Sequence, residues 1–155
     1  MLKKSAGILP YKYIDNKLYV YLEHPGGPYY QNRDIWSICK GEYTKEKAID
    51  AAIREFREES GKSISKDKLL FLKTHKVNNR KLVTVFITEI DIDPSKMKSN
   101  TFTKEYPKNS GKIEEFPEMD KANWFSIDEA YKKIYKSQIP FLLKLEEVLK
   151  WKYWL

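Results

Sequence analysis

The sequence predicts an α+β fold, a mixed β-sheet with helices against its faces, formed as one domain over residues 1–155. Three observations predict it. Apolar residues alternate with a period of two in stretches that pair off across short turns. One internal stretch carries the period of an amphipathic helix. Two helical stretches close the chain with no strand after either, so the alternating βαβ pattern of a parallel fold is absent. With 41% hydrophobic and 14% aromatic residues, a chain of 155 residues can bury a sizeable core, which excludes wholesale disorder.

Leu18, Val20 and Leu22 alternate with Tyr19, Tyr21 and Glu23, the pattern of a half-buried strand. Residues 5–13 supply its hairpin partner across the turn Asp15-Asn16. His24-Pro-Gly-Gly-Pro28 then forbids regular structure and places Tyr29 and Tyr30 on a loop, after which Trp36 to Cys39 reads as a short apolar strand. From Lys45 to Ser60, the residues Ile49, Ala52, Ile53 and Phe56 recur at i, i+3, i+4 and i+7, one buried stripe of a helix. Thr44 is its expected N-cap, Glu46 suits the positive first turn, and Gly61 falls where a left-handed residue ends the helix.

Residues 69–77 and 81–92, rich in branched and aromatic side chains and separated by Asn78-Asn79, predict a second hairpin. Residues 93–112 carry Pro, Ser, Asn and Lys and read as a long loop in which only Thr101 to Tyr106 is extended. Ser126-Ile-Asp-Glu129 is a capping box that starts a helix. Pro140 fits the first turn of a last helix, whose Phe141, Leu142, Leu145, Val148 and Leu149 share a face. The tail from Trp151 to Leu155 either packs inward or makes a homodimer contact.

Charge and cysteine usage narrow the function classes. The formal charge of +7 arises from 25 Lys and only 4 Arg. This reads as a solvated lysine surface that attracts anions such as nucleotides, and it argues against an arginine-based nucleic-acid reader. No run of 18 apolar residues exists, so no membrane helix is expected, and the stretch Ala6 to Leu9 is too short for the core of a signal peptide. A lone Cys39 excludes an internal disulfide or a zinc cage, which makes a reducing cytoplasm the expected compartment.

Glu55, Glu58 and Glu59 stand at i, i+3 and i+4 on the predicted helix, so three carboxylates project from one side, about a quarter-turn from the buried stripe. Carboxylates so close repel one another unless a divalent cation sits among them. Oxygen-only ligation favours Mg²⁺ or Mn²⁺, and such a cation suits a phosphate-bearing substrate. The competing reading is a surface helix in which Arg54 pairs with Glu58 at i, i+4.

The residues around the triad decide between the two. Read from Gly41 through Glu46 and Arg54-Glu55-Phe-Arg-Glu58-Glu59-Ser-Gly61, the stretch resembles the signature box of the Nudix hydrolases. That box is a glycine, five residues, Glu, seven residues, Arg-Glu, an apolar residue, any residue, Glu-Glu, any residue and Gly. Glu46 to Gly61 matches every fixed position, with Phe56 in the apolar slot. Two departures stand out: four residues, not five, separate Gly41 from Glu46, and Lys62 follows where an apolar residue is usual.

The resemblance implies a Nudix-type α/β/α sandwich and hydrolysis of a nucleoside diphosphate linked to another moiety, an NTP or a dinucleoside polyphosphate above all. Carried over by position, it makes Glu55, Glu58 and Glu59 metal ligands, with Glu55 the expected proton acceptor. Arg54 would orient a box carboxylate, Glu46 would steady the junction of loop and helix, and the backbone carbonyl of Lys40 would complete the metal shell. Gly41 and Gly61 would be structural. Trp36-Ser-Ile-Cys39-Lys40-Gly41 is similar to a Trp-x-x-Pro-Lys-Gly lead-in of members cleaving dinucleoside or inositol polyphosphates, with Cys39 in place of Pro. Lys40 would then meet a substrate phosphate.

Many members add a carboxylate from a loop before a Trp-Phe strand. Glu118, six residues before Trp124 and close after Glu114 and Glu115, is the candidate here. The runs His24-Pro-Gly-Gly-Pro, Ser99-Asn-Thr-Phe and Glu115-Phe-Pro-Glu118, ending at Trp124-Phe125, resemble a bacterial Nudix subgroup of predicted NTP pyrophosphohydrolases. Tyr29, Tyr30 and Trp36 offer ring faces for a base. His24 and His75 have no partner at ligand or triad spacing. Two other functions fit the same residues: a nucleotide or polyphosphate sensor without turnover, and an RNA-binding module driven by the lysines.

Overall fold

The computed structural model describes residues 2–154, with side chains from Leu2 to Trp151. In chain order the strands are β1 (Lys3–Ile14), β2 (Lys17–Pro25), β3 (Cys39–Tyr43), β4 (Leu70–Asn78), β5 (Lys81–Glu89), β6 (Thr101–Glu105), β7 (Ile113–Pro117) and β8 (Met119–Ser126). The helices are α1 (Ala48–Ser60), α2 (Ile127–Lys133) and α3 (Ile139–Trp154). The main sheet runs β4-β5-β1-β2-β8 with β3 added to β1, while β6 and β7 form a separate two-stranded sheet.

Strand β1 organises the fold. It runs parallel to β5 along one edge from Lys3 to Tyr11. The other edge is shared: Lys4–Ile8 pair with β3, and Tyr11–Ile14 pair with β2, both antiparallel. The β2 and β3 strands therefore part near Pro10, which has no N–H to offer a ladder. The hairpin from β1 to β2 turns through Asp15 and Asn16, both at positive φ (51° and 65°), the conformation a two-residue hairpin turn demands.

Side-chain alternation builds two cores, one on each face of the sheet. Ala6, Ile8, Tyr21, Cys39 and Phe86 meet Ala51, Ala52 and Phe56 of α1. Leu9, Tyr11, Val20, Leu22, Val83 and Val85 meet Ala130, Ile134, Phe141, Leu142 and Leu145 from the α2–α3 side. The result is the α/β/α sandwich expected, and it changes the reading of β2. That strand is covered on both faces, so Tyr21 and Glu23 are as buried as Val20 and Leu22.

Other expectations shift at element ends. Trp36 and Ser37 make only single bridges, to Ile134 and Glu23, and the strand proper begins at Cys39. Helix α1 starts at Ala48 with Lys47 at its N-cap and no capping side chain, so Thr44 and Glu46 both precede it. The reason lies in Glu46, whose carboxylate accepts bonds from Arg54 and holds the approach to the helix as a loop. The acidic stretch of Glu114 and Glu115 lies in β7, paired with β6, where a loop was expected. Gly61 is left-handed at φ 76°, and the Ser126 hydroxyl accepts from the Glu129 N–H, both as the sequence predicts. Among the described residues no helix is long and apolar enough to cross a membrane. Trp151 is exposed, and the side chains of the tail beyond it lie outside the described residues.

Candidate active site

The box spans β3 and α1, which pack against each other on one side of β1. Arg54 links three carboxylates of the box. The Arg54 guanidinium donates Nε to both carboxylate oxygens of Glu46 at 3.1 Å and Nη2 to Glu46 Oε1 at 2.8 Å. Its Nη1 donates to Glu55 Oε1 at 3.0 Å and stands 3.6 Å from Glu58 Oε1. One planar fork thus ties the loop before α1 to two carboxylates on it.

The helix does not present its three carboxylates alike. Glu55 (8% exposed) and Glu59 (2%) lie within the buried stripe, while Glu58 stands exposed at the rim. Burial and the Glu59 carboxylate push the Glu55 carboxyl above its ordinary value, against the pull of Arg54. Gly41 explains how Glu55 fits: a Cβ there would lie 2.0 Å from Glu55 Cδ, so the side chain crosses β3 where the strand has no side chain of its own. The position is fixed by Gly41, whatever the length of the loop that follows.

Glu118 lies in the turn from β7 to β8. Its carbonyl accepts from the Gly26 N–H and its own N–H donates to Asn100 O, which pins the turn over the end of β2. Burial raises its carboxyl, and Glu59 and then Glu42 raise it further. Asn100, part of the run Ser99-Asn-Thr-Phe but given no role from the sequence, donates Nδ2 to Glu58 Oε2 at 3.4 Å. The Lys98 N–H donates to Glu59 O at 2.6 Å, so the segment before β6 lies against the C-terminal half of α1. Glu114 and Glu115 are exposed on β7.

Strand alternation turns Lys40 to the face opposite Cys39. There it lines a cavity of about 260 Å³ with Pro25, Ser37, Met119, Tyr135 and Gln138, where β2 and β3 have parted. Burial, then the neighbouring Lys81, lowers its ammonium to about 8. Trp36 is in the core, 6% exposed, with its ring against His24 and Phe125 and its Nε1–H donated to Asp34. Of the three rings the sequence offers to a base, Tyr29, edge-on to Tyr106, and Tyr30, with the Arg33 guanidinium 5.8 Å from its centre, are exposed.

Sequence spacing missed the partners of His24. Its Nδ1 is 2.7 Å from Asp120 Oδ1 and its Nε2 is bonded to the Arg33 carbonyl, which fixes the loop after β2 to the start of β8. Asp120 is 96 residues away in the chain, so only the β2–β8 pairing brings the two together.

A NUDIX domain model matches residues 14–145, most of the chain and the whole of this site. The chain belongs to the Nudix family. The activity class of that family is pyrophosphohydrolase. Solved structures of similar fold include a C. elegans Ap4A hydrolase in a binary complex (TM-score 0.66, 20% identity, 96% of this chain and 98% of that one). The NUDIX domain of Shewanella oneidensis NrtR complexed with ADP ribose is also similar (TM-score 0.65, 11% identity, 96% and 89%). So is a MutT/nudix family protein from Listeria innocua (TM-score 0.64, 14% identity, 97% and 96%). At these identities the likeness is one of Nudix fold. A search of curated protein sequences returns no match.

Proposed function

We propose that this Nudix protein hydrolyses a pyrophosphate bond in a nucleoside diphosphate linked to another moiety, an NTP or a dinucleoside polyphosphate, with the help of Mg²⁺ or Mn²⁺. One observation carries the reading. Glu55, Glu58, Glu59 and Glu118 converge at the join of α1, β3 and the β7–β8 turn, and among the described residues Arg54 is the one guanidinium bonded there. A cluster of carboxylates with no nitrogen donor among them has the hard, oxygen-only character that fits such a cation. The Lys40 backbone carbonyl, beside Gly41, is the further oxygen donor of this proposal.

When bound, a divalent cation supplies charge neutralisation for the phosphates and acidifies water near them. The chain supplies the rest. Arg54 acts as a positioning residue, holding Glu55 through a bond that also anchors Glu46. Glu55, held by the Arg54 bond and shielded from solvent, is the residue of this proposal that takes the proton of the attacking water. The Lys40 ammonium, which the sequence offers to a substrate phosphate, faces the cavity with Tyr135 and Gln138 and not the carboxylates of α1, so the proposal uses its backbone carbonyl alone. Tyr30 and Tyr29 offer exposed faces to a base. The Ap4A and ADP ribose of the two neighbours support the nucleotide class of the substrate.

The test is product analysis with nucleoside triphosphates, dinucleoside polyphosphates, nucleotide sugars and capped RNA, with and without Mg²⁺. Turnover should require the metal and vanish with chelator. Glu58→Gln and Glu59→Gln should each lose about 100-fold or more in kcat, at or beyond the upper end of what outer-shell changes cost. Exposed Glu58 should cost no more than about 0.5 kcal/mol of stability. Metal-dependent binding without product in the wild type would favour a sensor, and full activity in both variants would refute the assignment.

A further inference from the structure

Glu23 follows Tyr21 by two residues on β2, so the alternation that turns Tyr21 toward α1 turns Glu23 the same way, into the sandwich. It is 1% exposed, and neither of its carboxylate oxygens has a hydrogen-bond partner. A carboxylate buried without a partner is costly unless a proton or a cation accompanies it. Facing it are Cys39 from β3 and Glu59 from α1, both also buried. One ligand atom from each of the three lies within 4.8 Å of the other two, the only such group of three among the described residues.

We propose that Glu23, Cys39 and Glu59 form an interior divalent-cation site that takes a borderline-soft ion such as Zn²⁺ or Co²⁺. Three secondary-structure elements each contribute one donor, so the site is fixed by the fold. Two carboxylate oxygens and one thiolate suit zinc-like ions, whereas Mg²⁺ and Mn²⁺ prefer oxygen alone. The fourth position falls to a second carboxylate oxygen or to water. A single cysteine excludes a cysteine cage, but buried carboxylates complete a mixed set that sequence spacing does not disclose.

The donors already face one another: the Cys39 thiol donates to Glu59 Oε2 at 2.8 Å. Uptake of M²⁺ displaces the thiol proton, and any carboxyl proton of the cluster, to solvent. The proposal shares Glu59 with the hydrolytic site but does not rest on turnover.

The test is titration of the metal-free full chain with Co²⁺ alone, read by thiolate-to-cobalt charge-transfer absorption. The band should rise to a plateau whose intensity matches one cobalt–thiolate bond per chain. Cys39→Ser should abolish it, Glu23→Gln, which keeps side-chain volume, should weaken Co²⁺ binding about tenfold or more, and Glu58→Gln should leave it unchanged. Absence of the band in the folded wild type overturns the proposal. So does a band whose affinity is unaltered in folded Glu23→Gln, because the cysteine would then be binding cobalt without the cluster. Either outcome leaves Mg²⁺-dependent turnover as a separate measurement, so failure here and failure of the hydrolase reading are distinguishable.

Discussion

At the scale of single residues, Gly41 shows how one missing methyl group sets a site. Its Cα lies against the Glu55 carboxylate, and a Cβ would stand 2.1 Å from Glu55 Oε1 and 2.6 Å from Cγ. What would have to move is the end of a side chain, not backbone, so Gly41→Ala should fold with a stability loss at the low end of overpacking, about 1 kcal/mol. Displacing Glu55 also strains its bond to Arg54. The expected outcome is a fall in kcat of about tenfold or more with an unfolding midpoint lowered only by that small loss, measured by steady-state kinetics beside urea denaturation. A variant as active as wild type would show that Glu55 is not held where Gly41 lets it lie. The same scale exposes what sequence spacing conceals: Glu55, Glu58 and Glu59 are legible as i, i+3, i+4, but their inequality is not. Burial of Glu55 and Glu59 and exposure of Glu58 follow from how α1 sits on β1 and β3.

At the scale of elements, α1 is held at both ends by unlike means. Its start has no side-chain cap and depends on the Arg54–Glu46 fork, whereas its end closes on Gly61, whose N–H donates to Arg57 O. A Cβ at Gly61 would meet nothing within 4 Å, so Gly61→Ala carries only the conformational cost of a left-handed residue, about 1–2 kcal/mol. Its urea midpoint should fall accordingly while kcat and KM stay at wild-type values, and a loss of turnover would implicate the helix end in chemistry. The C-terminal stop of α1 was readable because glycine conformation is a local property. The start was not: Thr44 has the right chemistry for a cap, but the pairing of Glu46 with Arg54, eight residues on, keeps the segment out of the helix. The β6–β7 sheet escaped for a similar reason, since a short, largely exposed strand such as β7 has little apolar periodicity to show.

At the scale of the whole molecule, two cores flank one sheet, and only the α1 core adjoins the proposed chemistry. Phe56 and Phe141 are fully buried in separate cores. Phe56→Ala and Phe141→Ala should each cost about 3–5 kcal/mol. With no shared partners, the double variant should lose their sum to within about 0.5 kcal/mol. Both are measurable by urea denaturation. Folded Phe56→Ala should also lose turnover, because Phe56 shares its helix with Glu55 and Glu59, whereas folded Phe141→Ala should not. A sum that fails by several kcal/mol would show the sheet transmitting strain between its faces.

The sequence by itself determined the helix register, the hairpin turns, the box residues and the Nudix family to which the chain belongs, because each depends on neighbours within a few residues or on a fixed linear pattern. Tertiary structure alone decided which carboxylates are buried, that Lys40 faces a cavity away from Cys39, and that His24 meets Asp120. It also decided that Glu23, one more polar residue in an alternating strand, lies unpartnered beside Cys39 and Glu59. These depend on covering both faces of the sheet and on contacts between residues far apart in the chain, and no local pattern records which face a second layer will seal from water.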